Sequence, residues 1–346
     1  MDKKNTRILY YDILNIAACF CVIWLHCNGC VHTFSKGKMW ATSLIVETIA
    51  YWAVPVFFML SGATLMNYRK KYDTKTFFKK RIIKTVLPFI FWSITVLIWR
   101  YFTKQIHIEN ITVKNIINIL LLNKEESVYW FFWALFSVYL SIPVLSLLTE
   151  EKNRKILWYI VVIASIFNSV PKLLVLFGVK WNGDFVFPVA GGYIIYVVLG
   201  YLLSTQNIKK KYRIIIYILG IVSALIRYFG TFYLSNRDGV INKSLWGYTF
   251  FTGLFLSVAV FVFIKNINYD GILKNKKVTD IIGKISSCSF GIYLIHIMVM
   301  YYETRFLNID THSCGWRTVG SVGTYIVALC IIYILKKIPI IKKIVP

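Results

Sequence analysis

The chain has 346 residues, of which 58% are hydrophobic and 16% charged, with a mean hydropathy of +0.62. That balance excludes a pair of soluble domains and places the chain among membrane proteins, so its length counts helices. The formal net charge of +25 would point to nucleic acid in a soluble protein, but the basic residues here fall in alternate loops. Nucleic-acid binding is therefore not expected.

A spanning helix needs about 20 apolar residues. Such stretches run over roughly 9–27, 43–67, 82–102, 129–148, 156–176, 187–204, 213–234, 246–264, 281–302 and 319–335. The expectation is an all-α, polytopic integral membrane protein of about ten transmembrane helices, forming one domain over 1–346 with no separate soluble domain. With the N-terminus inside, twenty-five Lys and Arg fall in cytoplasmic segments, including Lys3, Lys4, Arg7 and the run from Arg69 to Arg81, against ten outside. By the positive-inside rule both termini are cytoplasmic, and the basic loops contact anionic membrane lipid. The first apolar stretch continues into polytopic structure, so no cleavable signal is expected.

The first span ends in "LHCNGCVH". Its spacing misses haem attachment by one residue and only loosely mimics a zinc site, so no metal is expected. Asn28 and Gly29 read as a helix end, which leaves His26 at the rim of the hydrocarbon. An ionisable group there is a functional candidate, although a histidine can simply favour a helix C-terminus. Asn15 lies eleven residues earlier, about three turns and 16 Å along the same face, with Asp12 a turn below, so one polar stripe runs along the helix. Four of the seven cysteines (Cys19, Cys21, Cys288, Cys330) sit within predicted spans and read as packing residues rather than a disulfide framework.

In the second span Glu47 reaches nearly the depth of His26. A buried carboxylate needs a partner: it either orients the imidazole, as in acyl-transfer catalysis, or bonds to backbone or water. Ser61-Gly62 lie deeper in the same span. The third span opens with "KTFFKKRIIKTVLP", whose Lys80, Arg81 and Lys84 anchor the cytoplasmic face or clamp phosphates. The segment 104–128 is too short and charged to span, and Ile111, Ile116, Ile119 and Leu120 predict an outer interfacial amphipathic helix. Trp130 and Trp133 follow; an aromatic belt is the preferred reading, stacking on sugar rings the other. The fifth span is broken by Pro171, and the sixth is short and glycine-rich. Arg100 and Lys172 snorkel, and His107 and His312 read as solvated. Arg227 lies deeper, where Arg is expensive: it binds an anionic or hydroxyl-rich ligand, or pairs with a buried acid. The ninth span offers Tyr293 and His296, the latter as a second histidine or a packing residue.

Taken together, "YYDILNIAACFCVIWLH", "VPVFFMLSGATL", "FFKKRIIKTVLP", "YWFFWAL" and "SCSFGIYLIH" resemble the signatures of the membrane-bound acyltransferase-3 family, in order and over almost the whole chain. The resemblance implies a multi-pass protein of the bacterial plasma membrane that transfers an acyl group, usually acetyl from acetyl-CoA, to a hydroxyl of a cell-surface glycan. The family's first-helix motif is a basic residue followed eleven positions later by histidine. The histidine maps onto His26, and the basic position is Asn15 here. On this reading Arg81, Lys80 and Lys84 hold the coenzyme, with Asn15 and Ser61 along its arm. One channel carries the thioester up the first helix to His26, the general base, oriented by Glu47. Arg227, Tyr293, His296, Trp130 and Trp133 are the candidates for the acceptor or oxyanion, and acetyl-CoA serves as donor substrate without a metal. The alternative is a carrier or exporter of a glycan or small polar solute, which ten helices with a polar stripe also fit.

Overall fold

The computed structural model describes residues 8–108, 112–339 and 341–345. Lipid offers no water to satisfy a backbone, so apolar segments fold as helices that close their own hydrogen bonds. The described residues accordingly form helices and no strand. In chain order these are α1 (Leu9–Cys27), α2 (Lys38–Ala50), α3 (Ala53–Leu65), α4 (Thr74–Arg81), α5 (Leu87–Phe102), α6 (Val113–Leu121) and α7 (Trp130–Leu145). They continue as α8 (Arg154–Leu176), α9 (Ile194–Thr205), α10 (Lys210–Asp238), α11 (Phe251–Lys265), α12 (Asp270–Leu273), α13 (Lys276–Phe306) and α14 (Ser321–Leu335).

Among the described residues, eight helical stretches are long and apolar enough to cross a membrane. The sixth and eighth expected spans are the shorter apolar helices α9 and α11, of 12 and 15 residues. Helix was expected from residue 187, but Pro188–Ala190 form a 3-10 turn and α9 begins only at Ile194. Pro188 lacks an N–H, and Gly191 and Gly192 carry the highest entropic cost of helix formation, so the segment stays irregular. Irregular backbone and a helix of about 18 Å are tolerated at membrane depth when protein encloses them. Every residue of α9 from Ile195 to Leu203 is buried.

Two prolines set further irregularities, whereas α8 runs unbroken through Pro171, where a break was expected, and α7 through Pro143. The stretch Lys38–Lys70 counts as one span but breaks at Tyr51–Trp52 between α2 and α3. Pro55 cannot donate to the carbonyl of Tyr51, four residues back, so the helix is interrupted there and Tyr51 is re-aimed. Pro88 does the same to Lys84, and residues Ile82–Val86 relax into a π turn joining α4 to α5. The start of α4 is fixed by Asp73, whose carboxylate accepts from the Thr76 N–H at 3.1 Å.

At the centre α1 packs on α3 and α13, and α3 packs on α9. Glycine permits that last contact: a Cβ at Gly62 would lie 1.9 Å from the Val197 carbonyl oxygen, and one at Gly200 would lie 1.9 Å from that of Met59. Small residues of this kind let membrane helices bring their backbones together. At the periphery the polarity is inverted relative to a soluble helix. On α10 the buried face carries Gly220, Ser223, Arg227, Thr231 and Ser235 at helical spacing, whereas Ile214, Ile218, Ile221, Leu225 and Phe229 are exposed. The expected amphipathic segment appears as α6, which has no buried residue and is capped by Thr112, whose hydroxyl accepts from the Asn115 N–H at 3.2 Å. Ile111, the first residue of that pattern, lies outside the described residues, as do Lys3, Lys4 and Arg7.

Candidate active site

The polar stripe of α1 opens into two cavities, one at each end. The first, of about 360 Å³, is lined by Asp12, Asn15, Ser61, Arg81, Ser289 and Tyr293 among others. Asn15 ties α1 to α13 by donating to the Ser286 carbonyl at 2.9 Å and its hydroxyl at 3.1 Å. Of the three basic residues expected here, Arg81 alone lines the cavity. Its guanidinium lies against the rings of Phe77 and Tyr139, 5.9 and 5.6 Å from their centroids, and its Nε is buried without a partner among the described residues. Lys80 instead covers Tyr72 at 3.8 Å, and Lys84 is exposed on the π turn. Sequence reading passed over Ser289, which is buried at this cavity; its signal was a serine-rich turn within "SCSFGIYLIH".

The second cavity, of about 400 Å³, takes in His26, Cys27, Gln105, Tyr301, Thr304 and His312. α1 stops at Cys27 as expected: the Asn28 N–H returns to the Leu25 and Trp24 carbonyls, and its side chain donates to the Ser43 carbonyl at 2.8 Å. That bond pins the helix end to α2 and leaves His26 half-buried at the cavity wall. His32 departs to Trp246, with ring centroids 5.8 Å apart, so the doubled histidines serve different places. Cys27 and Cys30 are free thiols at the same cavity. His312, expected to be solvated, belongs to its rim, 3.6 Å from the Asp310 carboxylate.

Between the cavities lies a septum rather than the single channel expected. On α13, residues Ser286 to Tyr293 line the first cavity and Ile297 to Thr304 the second. The gap is one helical turn, about 6 Å, and His296 falls within it. Its ring centroid is 5.1 Å from that of His26, and its Nδ1 is 2.6 Å from the Tyr293 carbonyl. The Tyr293 hydroxyl donates to the Val128 carbonyl at 2.6 Å, while the Tyr129 hydroxyl donates to the Leu294 carbonyl at 2.7 Å. This reciprocal pair clamps the 3-10 turn Ser127–Tyr129, just before α7, to α13. It also spends the one proton Tyr293 could offer an oxyanion, so that expected role gives way to bracing.

Glu47 and Arg227 are brought together, with Oε1 and Nη2 3.3 Å apart and both side chains buried. The guanidinium lies 3.4 Å from the centroid of Tyr51 and 5.0 Å from that of Trp246. Tyr51 in turn stacks on Tyr248 at 4.3 Å, and Tyr248 on Trp130 at 5.8 Å. The ion pair of Glu47 is thus with Arg227, and the ring beside His26 is His296. Trp130 ends this internal stack and Trp133 packs on Phe89 and Phe136. Inward packing replaces the expected belt for both, and neither lines either cavity.

Sequence reading also missed Glu125 and Glu126, which precede α7 and are buried. Arg100 donates to the Glu125 carbonyl at 2.8 Å and faces the Glu126 carboxylate at 3.7 Å, an inward commitment in place of snorkelling. The Glu125 carboxylate is faced by the Ser93 hydroxyl. Burial pushes the Glu125 carboxyl up to about 7. Among the described residues, no three His, Cys, Asp or Glu side chains gather as metal ligands would.

The arrangement pairs a pocket offering one cation and several hydroxyls with a pocket bearing the imidazoles of His26 and His312, back to back along α1 and α13. The family model of the acyltransferase domain, acyltransferase-3, matches residues 8–335. Neither the curated proteins nor the solved structures include a match to this chain. Matched from its first described helix to the end of α14, the chain belongs to the acyltransferase-3 family and is a multi-pass membrane acyltransferase.

Proposed function

We propose that the protein transfers an acyl group, acetyl in the first instance, from cytoplasmic acyl-CoA to a hydroxyl of a cell-surface carbohydrate. The Arg81 cavity faces the cytoplasm, at the end where the basic loops cluster. Arg81 receives a phosphate of the coenzyme, as arginine does wherever planar recognition of phosphate is needed. Asn15, Ser61 and Ser289 hydrogen-bond the amides of its arm, and Lys80 and Lys84 contribute long-range charge from outside the pocket. The His26 cavity faces outward and takes the sugar: Gln105, Thr304 and His312 offer hydrogen bonds suited to a hydroxyl-rich ligand.

His26 accepts the proton of the sugar hydroxyl as its oxygen attacks the thioester carbonyl, a role worth about 100- to 10,000-fold in rate. The septum means that the acyl carbon reaches His26 only when side chains at the level of His296 yield to the arm. Glu47 enters as the partner of Arg227, and the pair with its aromatic stack braces α2 against α10 beside the acceptor pocket.

The observation that carries this reading is the placement of His26 at one cavity and Arg81 at the other, on two sides of a septum one turn thick. Mass spectrometry of surface glycans tests it, on cells carrying the wild-type chain or His26→Ala at equal membrane abundance. Acyl esters present only with the wild type are expected. Equal esterification in both would remove His26 from the chemistry, and solute export without acyl-ester formation would favour a carrier.

A further inference from the structure

His296 has an arrangement that helix packing does not require. Its Nδ1 meets the Tyr293 carbonyl at 2.6 Å. A carbonyl only accepts, so in the neutral ring the proton sits on Nδ1 and Nε2 carries a lone pair. That Nε2 is buried and has no hydrogen-bond partner among the described residues. An orphaned acceptor at full burial costs stability, and a leucine or phenylalanine would fill the space without that cost. The ring belongs to the septum: Tyr293, one turn before it, lines the Arg81 cavity, and Ile297, directly after it, lines the His26 cavity. His26 is the neighbouring ring, at 5.1 Å between centroids, close enough for N–H···N contact after a small rotation.

We infer that His296 is a second catalytic imidazole, which passes the proton taken up by His26 to the departing thiolate at the level of the septum. This rests on the reading that a thioester is the donor. The balance is complete without a further reactant. The acceptor O–H and the thioester C–S bonds break, and the ester C–O and thiol S–H bonds form. His26 takes the hydroxyl proton on the outer side and, as imidazolium, hands it to Nε2 of His296. The second imidazolium keeps Nδ1–H on the Tyr293 carbonyl and gives its Nε2 proton to sulfur, so both rings return to neutral. One histidine thus serves the nucleophile and the other the leaving group.

The test varies the leaving group. His296→Asn keeps an N–H for the Tyr293 carbonyl and removes the basic ring nitrogen. Reconstituted wild-type, His296→Asn and His26→Ala proteins are given acetyl-CoA or the acetyl thioester of 4-nitrothiophenol, whose thiolate departs without protonation. His296→Asn is expected to lose about 100-fold or more with acetyl-CoA and less than about 10-fold with the activated thioester. His26→Ala is expected to lose rate with both. Should His296→Asn not elute as a folded protein, His296→Gln is measured in the same way. Equal losses with the two donors, or a wild-type rate with acetyl-CoA, would overturn the role of His296 while leaving that of His26 intact. A wild-type protein that transfers from neither thioester would instead overturn the underlying reading, and this inference with it.

Discussion

In the proposed mechanism the donor end depends on Arg81, the one basic side chain of its cluster that lines the cavity. Charge-assisted hydrogen bonds of this kind are worth about 1.5–3 kcal/mol, or roughly 10- to 100-fold in binding. Arg81→Ala is therefore expected to raise KM for acyl-CoA by that factor with little change in kcat, and Lys84→Ala to leave both near wild type; steady-state rates in reconstituted membranes read the difference. His26, Asn15, Ser61 and Arg81 were legible in the sequence because a polar group in or beside an apolar run has few cheap explanations. Glu125 was not legible, since an acid in a charged loop reads as solvated and only the folding of that loop into the bundle buries it. Its raised carboxyl, about 7, has a definite sign. Between the ordinary glutamate value of about 4.3 and 7, the unfolded chain releases a proton that the folded protein retains, so stability falls as pH rises through that window. Thermal midpoints in detergent should decline from pH 5 to pH 7, and Glu125→Gln should flatten the decline. An identical slope in the variant would mean that this carboxyl is not the source.

Elements carry the Glu47–Arg227 pair, which joins α2 to α10 across the bundle. Removing one member of a buried ion pair strands the other and costs about 3–5 kcal/mol, whereas removing both costs less than the sum. Glu47→Ala and Arg227→Ala are each expected to lower the thermal midpoint, with the double variant no worse than the poorer single one. Additive losses in that cycle would deny the coupling. Loss of transfer rate at full stability in Glu47→Ala would give the carboxylate to His26 instead. The sequence disclosed that both charges lay at membrane depth, and pairing with a buried acid was one of its two readings of Arg227. Which acid it was depended on how α2 breaks, and Pro55 acts there through a carbonyl four residues away. The truncation of the sixth span has the same character: Pro188, Gly191 and Gly192 were visible, but only enclosure by neighbouring helices makes a 12-residue α9 tolerable in lipid.

At the scale of the whole molecule, the helical, polytopic architecture was readable because lipid imposes a length and a hydrogen-bonding rule on every span, whereas two of the ten expected spans are shorter apolar helices among the described residues. The division of the expected channel into two cavities was not readable, since it depends on side chains from α1, α7 and α13 meeting within one turn. In the proposed mechanism donor and acceptor approach from opposite faces and meet at the imidazole of His26. Its most direct test seals labelled acetyl-CoA inside proteoliposomes that hold the protein in one orientation and supplies an oligosaccharide acceptor outside. Label is expected on the external sugar hydroxyls with the wild type, and a loss of about 100- to 10,000-fold with His26→Ala. Equal transfer by the variant, or label that reaches sugar only when both reactants share one side, would contradict the mechanism.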